Sequence, residues 1–169
     1  MSLDGFIADA EGGYGWIPHD DTIDFGAYLA KIDTLLMGRG TYETATATPE
    51  GRSILEGMAV YVVSTTLDPA AHPDVTLVSE DVTASVAALK AHPGKDVWLF
   101  GGGVLFRSLL EAGLVDRVEV ALVPVMLGTG VPMLPGVRDA ATLELHSSEA
   151  LPSGMMLLKY DVAPGADVG

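Results

Sequence analysis

Two hydrophobic periods alternate along the first two thirds of the chain. Short apolar runs of strand length are separated by segments in which apolar side chains recur at the spacing of one helix face. The predicted strands are 2–8, 33–38, 58–65, 75–79 and 96–100, and the predicted helices are 21–32, 39–47, 80–92 and 104–113. Because strands and helices alternate, we expect parallel strands that are joined by right-handed helical crossovers.

The last third of the chain carries strand patterns without helices. Residues 115–127 predict one long strand, and residues 142–162 predict a β-hairpin that turns at 152–154, Pro-Ser-Gly. This arrangement adds an antiparallel edge to a mostly parallel sheet. We therefore expect one α/β domain over residues 1–162, followed by a flexible tail at 163–169.

Charge and composition exclude several classes of function. Nine basic against 23 acidic residues give a net charge of −14, which disfavours nucleic acids and anionic membrane surfaces as partners. The chain has no cysteine, which excludes disulfides, thiolate metal ligands and cysteine nucleophiles. The first residues lack the basic start of a signal peptide, and no apolar run reaches the length of a membrane span. We expect a cytoplasmic protein.

Three predicted strands end in residues that suit phosphate groups. Residues 101–103, Gly-Gly-Gly, follow one strand and open a helix, so that backbone N–H groups can approach a ligand closely. Residues 38–41, Gly-Arg-Gly-Thr, repeat this arrangement and add a guanidinium, and residues 64–66 place hydroxyls at a third strand end. Because such ends share one edge of a parallel sheet, they predict a site for a ligand with more than one phosphate. For the glycines alone, a tight turn that packs against a neighbour is the alternative.

Five segments together carry a family resemblance. They are SLDGFIA, LLMGRGTYE, VYVVST, WLFGGGVLFRSLLEAGLVD and VPVMLGTGVPML. Their order and spacing resemble the dihydrofolate reductase superfamily, and most closely the C-terminal reductase domain of bacterial riboflavin biosynthesis proteins. The resemblance spans residues 2–162. It implies a three-layer α/β/α fold with a mostly parallel, twisted sheet and an antiparallel C-terminal hairpin, NADPH as the cofactor, and a homodimer.

The resemblance also implies roles for individual residues. Residues 38–41 would hold cofactor phosphates, with Arg39 near the 2′-phosphate, and residues 128–130 match a loop near the active site or the dimer contact. The implied cofactor-binding residues are Ile7, Ala8, Gly38, Arg39, Gly40, Thr41, Ser64, Thr65, Gly101, Gly102, Gly103, Val104 and Leu105. Of these, Ser64 and Thr65 would contact the adenosine ribose and 2′-phosphate, residues 101–105 would bind the diphosphate, and Ile7 and Ala8 would lie near the nicotinamide. The family's first strand begins several residues before SLDG, so we expect either that the start of the chain is misassigned or that the first strand is short and the floor of the pocket incomplete.

The source of the catalytic proton is less well defined by the sequence. Dihydrofolate reductases place one acid on the first helix, and this chain offers Asp20, Asp21 and Asp24 there. Asp24 is the first choice because it falls inside the predicted helix, and the alternative is an acid that favours the helix N-terminus. His19 is a second candidate proton donor. The histidines lack the spacing of metal ligands, so no metal site is expected.

The leading functional hypothesis is an NADPH-dependent reductase of a small pteridine-like, pyrimidine-like or carbonyl substrate. Without cysteine, the chain cannot carry the zinc motif of the deaminase half of bifunctional riboflavin enzymes. One alternative is a non-catalytic nucleotide-binding or sensor protein that keeps the cofactor cleft. Another is a structural homodimer with a vestigial cleft.

Overall fold

The computed structural model describes residues 1–138 and 140–163. Its strands are β1 (Phe6–Ala8), β2 (Ile32–Gly38), β3 (Ala59–Val63), β4 (Thr76–Val78), β5 (Asp96–Gly101), β6 (Arg117–Leu122), β7 (Val131–Pro132), β8 (Leu143–Ala150) and β9 (Met156–Val162). Its helices are α1 (Phe25–Leu29), α2 (Arg39–Ala47), α3 (Pro49–Leu55), α4 (Val82–Ala91) and α5 (Gly103–Glu111), with a short 3₁₀ helix at Pro69–Ala71. Residues 24–106 form one compact unit, here the parallel-sheet unit. Residues 1–23 and those from 107 onward form the antiparallel-sheet unit.

The parallel-sheet unit is built on four parallel strands in the order β4-β3-β2-β5. β2 has a neighbour on each side, and its Leu35, Leu36 and Met37 are almost completely buried, which explains its continuous apolar run. The main core cluster consists of Ile32, Leu35, Met37, Tyr42, Val60 and Val62. The predicted alternation of parallel strands and helices is confirmed in this unit.

The antiparallel-sheet unit contains a three-stranded sheet in the order β6-β9-β8. β8 and β9 form the predicted hairpin, and its turn is closed by hydrogen bonds between Leu151 and Met155 (2.9 Å) and between Gly154 and Leu151 (2.9 Å). β1 pairs with β7 in a separate two-stranded ladder. Leu151 and Met155 are buried with Val123, and Trp16 packs against this cluster. The α/β class, with a parallel sheet and an antiparallel C-terminal hairpin, is confirmed.

The first helix is shorter than the predicted 21–32 and begins later. A turn precedes it, because the carboxylate of Asp20 accepts hydrogen bonds from both the N–H and the hydroxyl of Thr22. Such a turn competes with helix formation at this position. The helix then starts after Asp24, whose carboxylate accepts from the N–H of Ala27 at 2.8 Å. Asp24 is therefore the N-cap of α1. The sequence predicted that Asp24 lies inside the helix, and this prediction was wrong.

Two predicted strands also end early. The predicted strand 2–8 keeps only β1, because Gly5 has a φ of 91° and Ser2 and Phe6 close a tight turn around it. The predicted strand 115–127 ends as β6 at Leu122, shortly before Pro124, which has no N–H to donate to a ladder. The short strand β7 and the helix α3 were not predicted.

The predicted tail at 163–169 is described only at its first residue. Residues 164–169 of the predicted tail lie outside the described residues, and the N–H of Ala163 donates to the carbonyl of Thr142 at 3.0 Å. Of the helices that the structure describes, none combines the length and apolar character that crossing a bilayer requires.

Candidate functional site

The carboxyl ends of three neighbouring strands meet at one edge of the parallel sheet. Gly38 at the end of β2 pairs with Val63 at the end of β3, and Met37 pairs with Gly101 at the end of β5. The segments 38–41, 64–66 and 101–105 follow directly from these strand ends. The structure therefore brings together the three segments that the sequence predicted as a phosphate site.

Two helices begin at this edge, and each directly follows a glycine. α2 follows Gly38, which has extended backbone (φ −80°, ψ 163°) and gives no side-chain cap. α5 follows Gly102, whose carbonyl accepts the N–H of Phe106 at 3.0 Å. The first N–H groups of a helix have no partner within the helix, and they carry the positive end of its dipole. Backbone donors and a favourable field for anions are therefore concentrated at this edge.

The other described helices of this unit begin differently. Each has a side-chain oxygen that accepts a hydrogen bond from an N–H of its first turn: Asp24 for α1, Thr48 for α3, Asp81 for α4 and Asp68 for the 3₁₀ helix. Such caps stabilise a helix by about 1 kcal/mol. At the two helix starts that face the strand-end edge, by contrast, the residue before the helix is glycine, which has no side chain to act as a cap.

Thr41 links the two glycine segments. A Cβ placed on Gly101 would lie 3.2 Å from the hydroxyl oxygen of Thr41 and 3.3 Å from its methyl group, and Gly101 has a φ of 146°. The peptide bond between Gly101 and Gly102 is cis. By contrast, a Cβ on Gly38 or Gly40 would meet no atom within 4 Å. The backbone is therefore tightly packed at the end of β5 and open at the start of α2.

Arg39 supplies the positive charge of the site. Its Nε donates to Oε1 of Glu43 at 2.7 Å, and its Nη1 donates to Oγ1 of Thr66 at 2.6 Å. The side chain is 48% exposed. The guanidinium is held beside the end of β3 while it remains open to solvent, which suits recognition of a phosphate group.

The hydroxyl of Ser64 is already used by the backbone. Ser64 is buried, and its oxygen accepts the N–H groups of Thr66 (3.2 Å) and Leu67 (3.0 Å). Ser64 therefore shapes the turn that presents Thr65 and Thr66, which are exposed. At the third segment, Val104 is exposed and Leu105 is buried. Both stand in the first turn of α5, where backbone N–H groups have no partner within the helix.

The candidate proton donors occupy exposed positions. Asp24 caps α1 in the parallel-sheet unit. His19 belongs to the antiparallel-sheet unit, where its Nε2 lies 2.8 Å from Oδ1 of Asp21, and both side chains are almost fully exposed. Ile7 and Ala8 also belong to that unit and lie on β1.

Comparison with known proteins identifies the family. The sequence model of the RibD C-terminal domain matches residues 1–157. The chain belongs to the RibD C-terminal domain family. Two proteins of Bacillus subtilis (strain 168) are similar over nearly their whole length. The uncharacterized protein YyaP is 29% identical over 170 residues (95% of this chain, 90% of YyaP), and the uncharacterized protein YwjB is 26% identical over 161 residues (93% and 91%).

Solved structures confirm the fold of this RibD C-terminal domain. A candidate riboflavin biosynthesis protein from Shewanella sp. PV-4 has a TM-score of 0.81 at 26% identity and covers 96% of this chain and 95% of its own. A pyrimidine reductase-like protein from Corynebacterium diphtheriae has a TM-score of 0.72 at 15% identity, covering 98% and 90%. The deaminase/reductase of Thermotoga maritima has a TM-score of 0.68 at 18% identity, covering 96% of this chain and 54% of that protein. The last two matches show the fold alone. The resemblance to the dihydrofolate-reductase-like superfamily is confirmed.

The RibD C-terminal domain also uses carboxylates that the sequence analysis did not single out. Asp4 accepts hydrogen bonds from the hydroxyl of Ser2 (2.7 Å) and from the N–H groups of Leu127 (3.1 Å) and Gly128 (2.7 Å). These bonds, first that of Ser2, hold the pKa of Asp4 below its usual value. Asp4 therefore fixes the start of the 128–130 loop. The turn at Asp4-Gly5 was the only signal in the sequence, and it does not reveal partners so distant in the chain.

Asp20 makes a similar connection within the antiparallel-sheet unit. Its carboxylate accepts hydrogen bonds from Ser153 in the hairpin turn and from Thr22. These bonds, those of Ser153 first, hold the pKa of Asp20 well below its usual value. Asp20 was considered as a catalytic acid, and the structure shows that it anchors the loop before α1 to the β8–β9 turn.

The RibD C-terminal domain has a further cavity in its parallel-sheet unit. This cavity has a volume of about 280 Å³ and contains none of the predicted site residues. It is lined by Tyr42, Arg52, Leu55, Glu56, Met58, Val60, Asp74 and Val75. Within residues 1–138 and 140–163, no group of three or more His, Asp or Glu side chains is arranged to hold a metal ion.

Proposed function

We propose that this protein is an NADPH-dependent reductase that transfers hydride to a small pteridine-like, pyrimidine-like or carbonyl substrate. The observation that carries the proposal is the pair of helix starts at Gly38 and Gly102, glycines that bring no side chain of their own to the first N–H groups at one edge of the sheet. A phosphate-bearing ligand satisfies such donors. Membership of the RibD C-terminal domain family supports a reductase in particular.

The residues present fit NADPH. Arg39 carries the charge that distinguishes a 2′-phosphate from a hydroxyl, and Thr65 and Thr66 are exposed beside it. The N–H groups that follow Gly102 would bind the diphosphate. By their family positions, Ile7 and Ala8 would lie against the nicotinamide. When bound, NADPH supplies the hydride, and the protein binds, orients and shields the reacting groups.

When a hydride is added to a carbon of the substrate, the adjacent nitrogen or oxygen gains negative charge and must receive a proton. We propose Asp24 as the first candidate donor and His19 as the second. Asp24→Asn separates catalysis from structure, because asparagine caps a helix about as well as aspartate but cannot donate a carboxyl proton. We expect this variant to keep its thermal stability and to lose about 100-fold in kcat. Full kcat in Asp24→Asn would remove Asp24 from catalysis and leave it as the N-cap.

The alternative is a nucleotide-binding or sensor protein without turnover. The specific observation in its favour is that the carboxylate of Asp24 is engaged in capping α1. This alternative predicts binding of NADPH with no reduction of any substrate offered.

Calorimetric titration with NADPH and NADH tests the proposal. We expect the protein to prefer NADPH, and Arg39→Ala to weaken NADPH binding by about 10- to 100-fold while NADH binding changes little. Arg52→Ala, which removes the same charge from α3, serves as the control. Equal weakening for both nucleotides would contradict the role of Arg39, and absence of binding to either would refute the proposed function.

A turnover assay then distinguishes the reductase from its alternative. The Thermotoga neighbour is a 5-amino-6-(5-phosphoribosylamino)uracil reductase by name, so that compound is the first substrate to offer, with dihydrofolate for comparison. Oxidation of NADPH that depends on either compound would support a reductase. Tight NADPH binding without oxidation across a panel of pteridines, pyrimidines and carbonyl compounds would favour the alternative.

We also propose that the protein is a homodimer, as the family resemblance implies. Every residue of β8 is exposed, including the apolar Leu143 and Leu145, and such an edge is available to a second copy. Size-exclusion chromatography with light scattering tests this proposal. A monomer at all concentrations would contradict it.

A further inference from the structure

The guanidinium of Arg39 donates hydrogen bonds to a charged partner, Glu43, and to a neutral partner, Thr66. The charged partner affects which nucleotide binds at this site. The carboxylate of Glu43 lies 2.7 Å from Nε, whereas the hydroxyl of Thr66 lies 2.6 Å from Nη1. We infer that Glu43 limits the preference for NADPH at this site by opposing the 2′-phosphate that Arg39 attracts. The inference rests on the proposed function, since it concerns the same cofactor.

The two partners hold Arg39 in different ways. Thr66 belongs to the turn that the Ser64 oxygen fixes through the N–H groups of Thr66 and Leu67, so this anchor is set by the backbone. Glu43 stands one helical turn after Arg39 on α2, and its side chain is 53% exposed. An exposed i,i+4 ion pair stabilises a helix by only a few tenths of a kcal/mol. Loss of Glu43 therefore leaves Arg39 oriented by Thr66.

The negative charge of Glu43 opposes a 2′-phosphate that approaches Arg39. A phosphate monoester brings about 1.5 to 2 negative charges at neutral pH. A phosphate that binds the guanidinium of Arg39 also comes close to the carboxylate that contacts it, and like charges at such distances repel even in water. The 2′-hydroxyl of NADH has no charge and does not experience this repulsion. Glu43 therefore weakens NADPH binding selectively, and this effect exceeds the small ordering that the ion pair provides.

Calorimetric titration of Glu43→Gln tests the inference. The probes are NADPH and NADH, together with 2′,5′-ADP and 5′-AMP, which isolate the 2′-phosphate from the nicotinamide. We expect Glu43→Gln to bind NADPH and 2′,5′-ADP about three- to tenfold more tightly than the wild type, and NADH and 5′-AMP with unchanged affinity. The gain should shrink as salt is raised, because screening weakens the repulsion.

A matched variant controls for overall charge. Glu50→Gln removes one negative charge from the exposed first turn of α3 and should leave all four affinities unchanged. Thermal melting of both variants checks that they are folded. Unchanged or weaker NADPH binding in Glu43→Gln would overturn the inference, as would an equal gain for NADH or an equal gain in Glu50→Gln. If the wild type and Glu43→Gln both bound NADPH and 2′,5′-ADP weakly or not at all, the inference and the proposed function would both fail.

Discussion

Two regions of the molecule, the loops of the antiparallel-sheet unit and the strand ends of the parallel-sheet unit, differ in what caps their backbone N–H groups. In the antiparallel-sheet unit, carboxylates occupy them: Asp4 accepts from Leu127 and Gly128, Asp9 from Glu11 and Gly13, and Asp20 from Thr22 and Ser153. At the strand ends of the parallel-sheet unit, α2 and α5 each directly follow a glycine. Carboxylates thus close loops in the first region, whereas the helix starts of the second region have backbone N–H groups that suit an anion.

The largest loss of stability is expected for a substitution at Gly130 in the antiparallel-sheet unit. A Cβ there would overlap the carbonyl oxygen of Ala8, so β1 or the 128–130 loop would have to move. We expect Gly130→Ala to lower the free energy of unfolding by about 3 kcal/mol, measured by urea denaturation.

The neighbouring Gly128 provides the matched control. Gly128 has a φ of 74°, but a Cβ there meets no atom within 4 Å. Gly128→Ala should therefore cost only the conformational penalty of about 1 kcal/mol. Equal losses in both variants would show that backbone conformation, and not the contact with Ala8, requires glycine at 130.

A smaller effect is expected when a carboxylate is introduced at the strand-end edge. Gly38 has the extended backbone of an N-cap and open space around its Cβ position. Gly38→Asp should cap α2 and raise the free energy of unfolding by only a few tenths of a kcal/mol, because glycine is itself a tolerated N-cap. Its charge should also weaken NADPH binding by about tenfold, measured by calorimetry. A stabilised variant with full NADPH affinity would contradict the assignment of this helix start to the cofactor.

The smallest effect concerns Asp20 and depends on pH. Its pKa is lowered in the folded protein by the hydrogen bonds from Ser153 and Thr22, so the ionised carboxylate stabilises the fold. This contribution is complete above the ordinary pKa of 3.8 and is lost as the pH falls further, through the lowered folded-state pKa. Between pH 5 and 8, a range that lies above the ordinary pKa, Asp20→Ala should therefore have a lower Tm than the wild type. Below pH 3.8 the difference in Tm between the two proteins should narrow.

The exposed neighbour Asp21 provides the control for this pH series. Asp21→Ala removes the same formal charge from a side chain that is 93% exposed, and it should have a Tm close to that of the wild type. A constant difference between Asp20→Ala and the wild type down to the most acidic pH at which both remain folded would contradict the role of the carboxylate.

Sequence patterns predicted the parallel-sheet unit well because its signals are local. The buried run of β2 and the glycines at 38 and 101–103 each follow from residues that are adjacent in the chain. The same patterns could not reveal that Asp4 binds Gly128 or that Asp20 binds Ser153, because these partners lie 124 and 133 residues apart in the sequence. The start of α1 was misplaced because the turn made by Asp20 and Thr22 outcompetes the first helical turn.

The two helices that follow a glycine, α2 and α5, also affect the abundance of the protein in a cell. Glycines at two helix starts stabilise the fold slightly less than capping side chains would. A ligand at 100 times its Kd would add about 2.7 kcal/mol. A difference of that size changes the unfolded fraction on which proteases act by about 100-fold. Under the proposed function, the supply of the nucleotide would then affect how long the protein survives proteolysis in the cell.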